Sequence, residues 1–578
     1  MSDNKDGFLK SLFFGEIRED LLFPYPRLDS DVAEMVEMMN DSIGKFAESS
    51  IDSEKWDEDA AMPEEIITQV SEMGLMGLLV PEEHNGLGLP MMAYGRIFET
   101  LSKYDISLTV TVGAHQSIGY KSLLLFGNEE QRAKYLPRLA TGELIAAFCL
   151  TEPSSGSDAA SVRSKAVLSE DGTHYVLNGS KIWITNGGIA GFLTIFAKVE
   201  VEHKGELKEK VTCFVLELPA EGVTIGPPEK KMGIKASWTN EVHFDNVKIP
   251  VENVVGEPGK GFKVAMGILN HGRLGLAAGC VGGMKNCIKA SMEHATERKQ
   301  FKKKLIEFGM IQDKIAEMAI DCYATESIVY LTTHYIDRGD VDYYLESAAA
   351  KVFATEALWS ALDENIQIWG GNGYMKEYPF ERWMRDSRIF RIFEGTNEVL
   401  RAFVALSGMQ GPGEELAGLA AAIKHPLKGL GPVSDFAIRK IKRSVVGESI
   451  DGAHPSLKKM AGTIEDGVVQ LANRVEEVLR KHGKEVFLRQ FAQKRLADIA
   501  IDLFALSAVL ARTTALVDER GGTDKCELEM KLAEGFLLKA KRRLADNFDQ
   551  MTNNDDELRK EVAEAIAEVG HYLVAPIS

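Results

Sequence analysis

Residues 174–186 read HYVLNGSKIWITN, and this stretch lies in a β-rich block between helical regions. β-Branched and aromatic residues lie on both sides of the dipeptide Asn178-Gly179. Because Asn-Gly favours the two-residue turn of a β-hairpin, the stretch predicts two strands joined at that dipeptide. We therefore expect antiparallel β structure here.

The neighbouring sequence extends this β block and then changes character. FLTIFAKVEV (192–201) and KVTCFVLEL (210–218) are rich in β-branched and aromatic residues, and in EVHFDNVKIP (241–250) apolar and polar residues alternate. Outside the block, apolar residues recur at helical spacing, as Val32, Val36 and Met39 do. The order helical, β, helical, helical argues against a parallel α/β fold.

The predicted fold class is a multidomain α+β protein. It has an N-terminal helical domain, a middle antiparallel β domain, a helical bundle domain and an additional C-terminal helical domain. The predicted boundaries are an N-terminal extension at 1–30, domains at 31–143, 144–255 and 256–410, a Gly/Pro-punctuated linker at 411–432 and a last domain at 433–578.

Composition excludes several classes of function. The chain has 578 residues, 45% of them hydrophobic and 26% charged, which is typical of globular domains. Its net charge of −19 repels phosphate backbones, so nucleic acid is not an expected partner. No apolar run approaches the roughly 20 residues of a membrane-spanning helix, and no secretory signal is recognisable.

The cysteines do not indicate metal or disulfide chemistry. The six cysteines form no C-x-x-C pair and no Cys/His cluster with zinc spacing, so we expect free thiols and no bound metal. Free thiols fit a reducing compartment, and the expected location is the cytoplasm.

Four segments carry side chains suited to a cofactor or to catalysis. The loop FCLTEPSSGSDAAS (148–161) offers hydroxyls and backbone N–H groups, WITNGG (183–188) offers an indole that could cover a flat ring, and HATERKQF (294–301) ends a long helix with cations. Glu394 lies in the apolar context of Ile392 and Phe393, which predicts a raised pKa and a general base. Taken singly, each could instead be a surface loop, core packing or a helix cap.

In their order and spacing, these segments resemble the acyl-CoA dehydrogenase family over residues 31–408. TEPSSGSD (151–158), WITNGG, KKMGIKAS (230–237), ERKQF (297–301), QIWGGNGYMKE (367–377) and RIFEGTNEVLR (391–401) are all similar to stretches of that family. The helical extension, with KRLADIAIDLFAL (494–506), resembles the very-long-chain branch.

The resemblance implies one FAD and a set of site residues. The implied cofactor-binding residues are Phe148, Leu150, Thr151, Gly156, Ser157, Trp183, Ile184, Thr185, Arg298, Gln300, Phe301, Gln367, Gly370, Gly371, Thr396 and Glu398. Among these, residues 367–371 are expected to contact the FAD of a neighbouring subunit. The implied substrate-binding residues are Ser157, Asn270, Arg273 and Gly395, and the implied base is Glu394. Some branches carry the base immediately before the arginine of the CoA-contacting turn, but that position is Gly272 here.

The implied reaction is α,β-dehydrogenation of long-chain acyl-CoA to trans-2-enoyl-CoA, the first step of fatty-acid β-oxidation. Reduced flavin would pass electrons to electron-transferring flavoprotein, and the enzyme would be a homodimer. Two alternatives remain at this stage: an acyl-CoA oxidase that uses dioxygen, and a non-catalytic assembly factor for a respiratory complex. The presence of Glu394 and of the complete 151–158 loop favours an enzyme over the assembly factor.

Two further features suggest substrate length and membrane association. The family resemblance places the floor of the acyl pocket near 104–112, where Ser107 and Thr109 stand in place of the glycines of the very-long-chain branch. Chains of roughly C12 to C16 are therefore expected. In VSDFAIRKIKRSVV (433–446), four cations adjoin an apolar helical face, which is typical of a peripheral membrane element as well as of an ordinary packed helix.

Overall fold

The computed structural model describes residues 5–424 and 449–572, and the chain divides into two compact units. The first unit contains Pro24–Leu400, and the second contains Asp6–Phe23 together with the chain from Arg401 onward. The described elements confirm the predicted fold class, because helical regions flank a single large sheet and a further helical region follows.

The first unit begins with helices and ends with a helical bundle. Its N-terminal helices follow α1 (Phe8–Leu12) of the second unit and are α2 (Ser30–Ser50), α3 (Ser53–Asp59), α4 (Glu64–Glu72), α5 (Met91–Leu101), α6 (Ile106–Gly113), α7 (Lys121–Phe126) and α8 (Glu129–Ala140). The bundle helices are α9 (Gly261–Glu297), α10 (Gly309–Arg338), α11 (Tyr344–Trp369), α12 (Gly371–Tyr374) and α13 (Phe380–Ser387), and α14 (Asn397–Lys424) begins in this unit.

The sheet between these helical regions is mixed rather than purely antiparallel. Its strands are β1 (Ala146–Cys149), β2 (Lys165–Leu168), β3 (His174–Thr185), β4 (Phe192–His203), β5 (Glu206–Glu217), β6 (Val223–Pro228), β7 (Thr239–Pro250) and β8 (Val254–Val255). The strand order is β6-β7-β3-β2-β4-β5-β8, and β1 also pairs with β4. Both β1 and β2 run parallel to β4, which corrects the predicted antiparallel domain. Alternation of side chains is the same in either strand direction, so the sequence pattern could not reveal this.

The predicted hairpin at Asn178-Gly179 is wrong. β3 continues through both residues, and its pairing with β7 shifts register between Leu177 and Gly179. The dipeptide instead supports a β-bulge: Gly179 has a φ of +153°, and the backbone N–H of Asn246 donates to Oδ1 of Asn178 at 2.8 Å. The tight turn lies between β4 and β5, at Lys204 and Gly205, whose φ values are +55° and +80°.

The second unit is a helical assembly that includes the N-terminal segment. The helices of this unit that follow α14 are α15 (Lys458–His482), α16 (Gln490–Arg520), α17 (Glu527–Gln550) and α18 (Asp556–Val569). The first unit also contains a small hairpin, formed by β9 (Lys299–Gln300) and β10 (Lys303–Lys304). Phe8, Leu9, Leu12 and Phe13 are buried, and the rings of Phe8 and Phe504 lie 5.9 Å apart. The predicted N-terminal extension is therefore partly a structural element of this unit.

Two sequence interpretations need adjustment in the second unit. Residues 411–424, which the sequence placed in a linker, are helical and belong to α14, because neither Gly411 nor Pro412 ends the helix. α16 is the one described helix that is long and apolar enough to cross a membrane, although 83% of its apolar window is buried within the fold. The predicted basic element, with Arg439, Lys440, Lys442 and Arg443, lies outside the described residues.

Candidate active site

Glu394 lies in the short connection between a 3-10 turn, Arg388–Arg391, and the start of α14. Its φ is +56°, and that of Gly395 is +92°. A non-glycine residue in the left-handed region costs about 1–2 kcal/mol, so the surroundings must hold it there. The Nζ of buried Lys351 donates to the carbonyl oxygen of Gly395 at 2.9 Å and to Oδ1 of Asn397 at 2.8 Å. These bonds fix the turn that carries Glu394.

The carboxylate of Glu394 has the properties of a general base. Burial raises its pKa to about 7, while the charges of Arg273 and Lys351 act in the opposite direction. The Nε of Arg273 donates to the backbone carbonyl oxygen of Glu394 at 3.1 Å. Within the described residues, the buried Oε2 atom has no hydrogen-bond partner. A carboxylate with a pKa near 7 and a free oxygen can accept a proton at neutral pH.

Gly272 faces the same carboxylate from α9. A Cβ at this position would lie 2.8 Å from Oε1 of Glu394, so a side chain here would displace the carboxylate from the position that it has beside glycine. The two positions that the resemblance offers for the base, 394 and 272, therefore lie next to each other although they belong to different elements. The raised pKa that the sequence predicted for Glu394 is confirmed. Gly272, which has no carboxylate of its own, lies against the carboxylate of Glu394 and leaves room for it.

The predicted substrate residues of α9 lie beside this turn. The Nη1 of Arg273 donates to Oδ1 of Asn270 at 2.6 Å, and Ser347 donates to the carbonyl oxygen of Asn270 at 2.5 Å. Both Asn270 and Arg273 are buried. Together with Gly395, they form one continuous group around Glu394.

A buried ion pair between Lys181 and Glu152 holds the predicted flavin loop on the sheet. The Nζ of Lys181, in β3, lies 2.7 Å from Oε1 of Glu152 and donates to the carbonyl oxygens of Leu150 and Phe196 at 3.1 and 2.7 Å. The fully buried Lys181 thus anchors the start of the 151–158 loop, and sequence reasoning missed this role. The detectable signal was a lysine directly before the apolar Ile182 in a strand.

The exposed part of the loop faces outward beside the end of β3. Gly156 and Ser157 are exposed, and nothing lies within 4 Å of a Cβ built on Gly156. The backbone N–H of Ile182 donates to the carbonyl oxygen of Thr151 at 3.0 Å, so this loop and the residues around Trp183 are brought together. Phe148 is half-buried, and its ring lies 5.0 Å from that of Phe196.

Trp183 is not part of the core, which was the simpler interpretation of its position. Its φ is +58°, its side chain is 63% exposed, and it sits at a register shift between Lys181 and Ile184. Ile184 points into the core and is only 2% exposed, so it can reach a cofactor chiefly through its backbone. An exposed indole next to a loop rich in hydroxyls and N–H groups fits a flat ring with a polar edge. The residues present therefore fit a flavin.

A second group of predicted cofactor residues, at 298–301 and 367–371, lies together at the ends of α9 and α11, and we call this region the corner. Arg298 caps the C-terminus of α9, and Phe301, 90% exposed with a φ of +51°, lies at the tip of the β9–β10 hairpin. The ring of His294 stacks on Trp369 at 4.2 Å, which places this hairpin near the end of α11.

The remaining residues of this group lie close to that corner or at the start of α14. Gln367 is in the last turn of α11, Gly370 caps it with a φ of +60°, and Gly371 begins α12. Thr396 caps α14, since its Oγ1 accepts from the N–H of Val399 at 3.3 Å, and exposed Glu398 follows. Among the described residues, no hydrogen bond or ion pair joins the corner at 298–301 and 367–371 to the loop at 148–157.

Sequence profiles match nearly all of the described chain. The acyl-CoA dehydrogenase N-terminal domain matches residues 33–143, its middle domain 147–247 and its C-terminal domain 259–409. The profile described as ACAD9/ACADV, C-terminal domain, matches residues 455–572.

Individual relatives are similar over most of their length. The mitochondrial very long-chain specific acyl-CoA dehydrogenase of Rattus norvegicus is 45% identical over 557 residues, which cover 95% of this chain and 85% of that protein. An acyl-CoA dehydrogenase of Bacillus anthracis, solved in complex with FAD, has a TM-score of 0.79 and 32% identity over 98% of this chain and 96% of its own.

A further similar chain comes from a structure titled as the electron transferring flavoprotein of Acidaminococcus fermentans. Its TM-score is 0.61 and its identity 35%, covering 66% of this chain and 99% of that one.

Proposed function

The chain belongs to the acyl-CoA dehydrogenase family, and from this we propose that Glu394 is the base of its reaction. The protein is an FAD-dependent oxidoreductase that dehydrogenates acyl-CoA in fatty-acid β-oxidation. The observation that carries the assignment of the base is the Glu394 carboxylate, with its pKa of about 7 and its unpartnered Oε2.

The proposed chemistry divides the two hydrogen losses between the two faces of the substrate. Glu394 accepts the α-proton of the thioester, while bound FAD supplies a hydride acceptor for the β-hydrogen. Arg273 and Lys351 hold the turn so that the carboxylate keeps its position. Because both C–H bonds are broken on oriented substrate, the protein contributes mainly alignment and a matched base.

We infer that the preferred substrates are long acyl chains of roughly C12 to C16. Ser107 and Thr109 are buried in α6, and the neighbouring Thr111 carbonyl oxygen accepts from Nδ2 of Asn186 at 2.9 Å. This bond supports a location of α6 beside the strand end that carries Trp183. Two side chains in place of glycines would shorten the pocket relative to the very-long-chain branch.

Electron-transferring flavoprotein is the proposed acceptor, and a homodimer is the proposed assembly. The similarity to a chain from a structure titled for such a flavoprotein supports the acceptor. The separate corner with exposed Phe301 supports a cofactor site completed by a second subunit. We also propose a cytoplasmic protein that associates with the membrane surface through the basic sequence at 433–446.

The experiment is anaerobic reduction of the purified yellow protein with saturated acyl-CoAs from C4 to C20. Bleaching of the flavin, fastest between roughly C12 and C16, is expected. Rapid reoxidation by air alone would favour an oxidase, whereas reoxidation only with electron-transferring flavoprotein supports a dehydrogenase. An optimum at C4 to C6 would contradict the proposed chain length. Co-sedimentation with anionic vesicles at low and high salt tests the membrane association.

A further inference from the structure

α18 presents an apolar stripe that the described part of the chain leaves uncovered. Leu558, Val562, Ile566 and Val569 recur at helical spacing and are 58%, 51%, 45% and 40% exposed. None of the 14 residues of α18 is buried. Helices of about this length are marginal in water without packing, so α18 needs a partner along this stripe.

One side of the stripe is acidic. Glu557, Glu561, Glu564 and Glu568 follow each other at helical spacing and are exposed. Glu557 pairs with Lys560 at 2.6 Å, whereas the other three have no cation partner among residues 5–424 and 449–572. The partner of α18 should therefore combine apolar side chains with several cations.

Two possible partners are disfavoured by charge. α18 contains five acidic residues and only two basic ones, Arg559 and Lys560, so a second copy of α18 would bring acidic flanks together. An anionic lipid surface would repel the same flank.

We propose that the stripe of α18 is the docking site for residues 434–445 of the same chain, SDFAIRKIKRSV. That sequence combines Ile441 and Val445 with Arg439, Lys440, Lys442 and Arg443, which matches the apolar stripe and its acidic flank. It carries four cations within five residues, in a protein of net charge −19.

Residues 434–445 are joined at both ends to described residues of the unit that contains α18. Lys424 ends α14, and the described chain resumes at Ser449, with both ends in the same unit as α18. Since an extended chain spans about 3.3 Å per residue, Ser434 can lie up to about 33 Å from Lys424, and Val445 up to about 13 Å from Ser449. Docking competes with the membrane association proposed above, because the cations cannot contact α18 and lipid together.

Disulfide trapping in the full-length holoenzyme tests the docking. All six native cysteines are buried, so an introduced pair provides the accessible thiols. The variant Ile441→Cys/Val562→Cys is compared with Ile441→Cys/Ala567→Cys, since Ala567 is exposed on the opposite side of α18. Docking predicts an intramolecular disulfide that forms on the order of tenfold faster in the first variant, through a higher effective concentration.

The electrostatic part has its own control. Neutralising Glu561, Glu564 and Glu568 with Gln, or raising salt, should reduce the difference, whereas neutralising exposed Glu54, Glu64 and Glu65 should not. Equal trapping rates at positions 562 and 567 would overturn the proposal. Covalent dimers from Val562→Cys alone would assign the stripe to a second copy, and disulfides formed only between subunits would also refute docking within one chain. Failure of vesicle binding would leave these results unchanged.

Discussion

Glu394 combines an unfavourable backbone conformation with an unshared carboxylate oxygen, and both features have consequences for a single substitution. Glu394→Gln keeps the shape of the side chain but cannot accept a proton. We expect loss of dehydrogenation by at least about 10³-fold, with FAD retained. Anaerobic flavin bleaching by a long-chain acyl-CoA measures the loss, and the yellow colour after purification serves as the control. Bleaching at the wild-type rate would assign the base elsewhere.

The pH dependence of the wild-type enzyme follows from the same carboxylate. Its pKa of about 7 lies above the ordinary value of 4.5, so the base is ionised only at neutral pH and above. We expect kcat/KM to fall as the pH drops below about 7 and to level off above it. A profile that stays flat down to pH 5 would contradict a buried base.

The raised pKa of Glu394 also affects the stability of the fold: activity should rise with pH, whereas the contribution of this group to stability should fall with pH. Between pH 4.5 and about 7 the folded state binds a proton that the unfolded state releases, so this group makes stability fall as the pH rises. Glu394→Gln removes the effect and should be more stable than wild type at pH 8, by on the order of 1–3 kcal/mol, and equal to it below pH 4.5. Thermal unfolding of both holoproteins at the two pH values measures this difference.

The convergence of Gly272 and Glu394 predicts that the base can be moved. In Glu394→Gly/Gly272→Glu, the new carboxylate starts from a Cβ 2.8 Å from the former Oε1, and glycine fits the positive φ at 394. We expect this double variant to regain part of the activity that Glu394→Gly loses. Gly272→Glu alone should impair the enzyme, because two carboxylates would crowd one site. Flavin bleaching in the three variants provides the comparison.

At the residue scale, the sequence was sufficient to predict the raised pKa of Glu394 but not the residues that hold its turn in place. Apolar neighbours of Glu394 predicted its raised pKa because burial follows from local composition. The roles of Lys181 and Lys351 depend on carbonyl oxygens distant in sequence, such as Phe196 and Gly395, which no local pattern reveals. The positive φ of Trp183 likewise arises from pairing with β7.

At the element scale, the loop that contains KKMGIKAS is packed directly on α13. A Cβ at Gly233 would overlap the carbonyl carbon and oxygen of Arg385, and Asp386 accepts from the N–H of Ile234 at 2.5 Å. Gly233→Ala should therefore destabilise the first unit by about 1–3 kcal/mol or more, since backbone atoms cannot give way. Gly309→Ala, with nothing within 4 Å, is the matched control. Thermal unfolding of the holoprotein compares the two.

α6 is the element on which the proposed chain-length preference depends. Thr109 is 8% exposed, and its hydroxyl donates to the carbonyl oxygen of Asp105 at 2.7 Å. Thr109→Gly removes a side chain and should move the optimum by about two methylene groups toward longer acyl chains. Because glycine also costs about 1 kcal/mol in a helix, Thr109→Ala controls for the loss of the hydroxyl. An unchanged optimum in kcat/KM across the acyl-CoA series would remove α6 from the pocket.

Whether a segment is a helix or a strand was predictable where the apolar residues recur with a clear period. Which strands pair, and how far an element continues, was not predictable from the sequence. The four C-terminal helices and the strands at 192–201 and 241–250 follow their apolar periods. Asn178-Gly179 carried a turn signal that tertiary pairing with β7 overrode, producing a bulge. Gly411 and Pro412 carried a linker signal, yet α14 continues past them.

At the scale of the whole molecule, the N-terminal segment is required by the second unit. Phe8→Ala removes a fully buried ring next to Phe504, and a cavity of this kind costs about 3–5 kcal/mol. We expect faster amide hydrogen exchange in α16 of this variant. Phe487→Ala is the control in the same unit, because its ring is 60% exposed and its loss should leave α16 unchanged. Equal exchange in both variants would mean that the segment is dispensable.

The place of Phe8 and its neighbours in the second unit also bears on how the protein is made. Residues 6–23 leave the ribosome roughly 500 residues before the helices that bury them, α15 and α16, are complete. At about 5–20 residues per second, the apolar side chains of α1 wait roughly 25–100 seconds for their partners. We therefore expect these side chains to stay exposed during translation, and α1 to reach its buried position only after α15 and α16 have been synthesised.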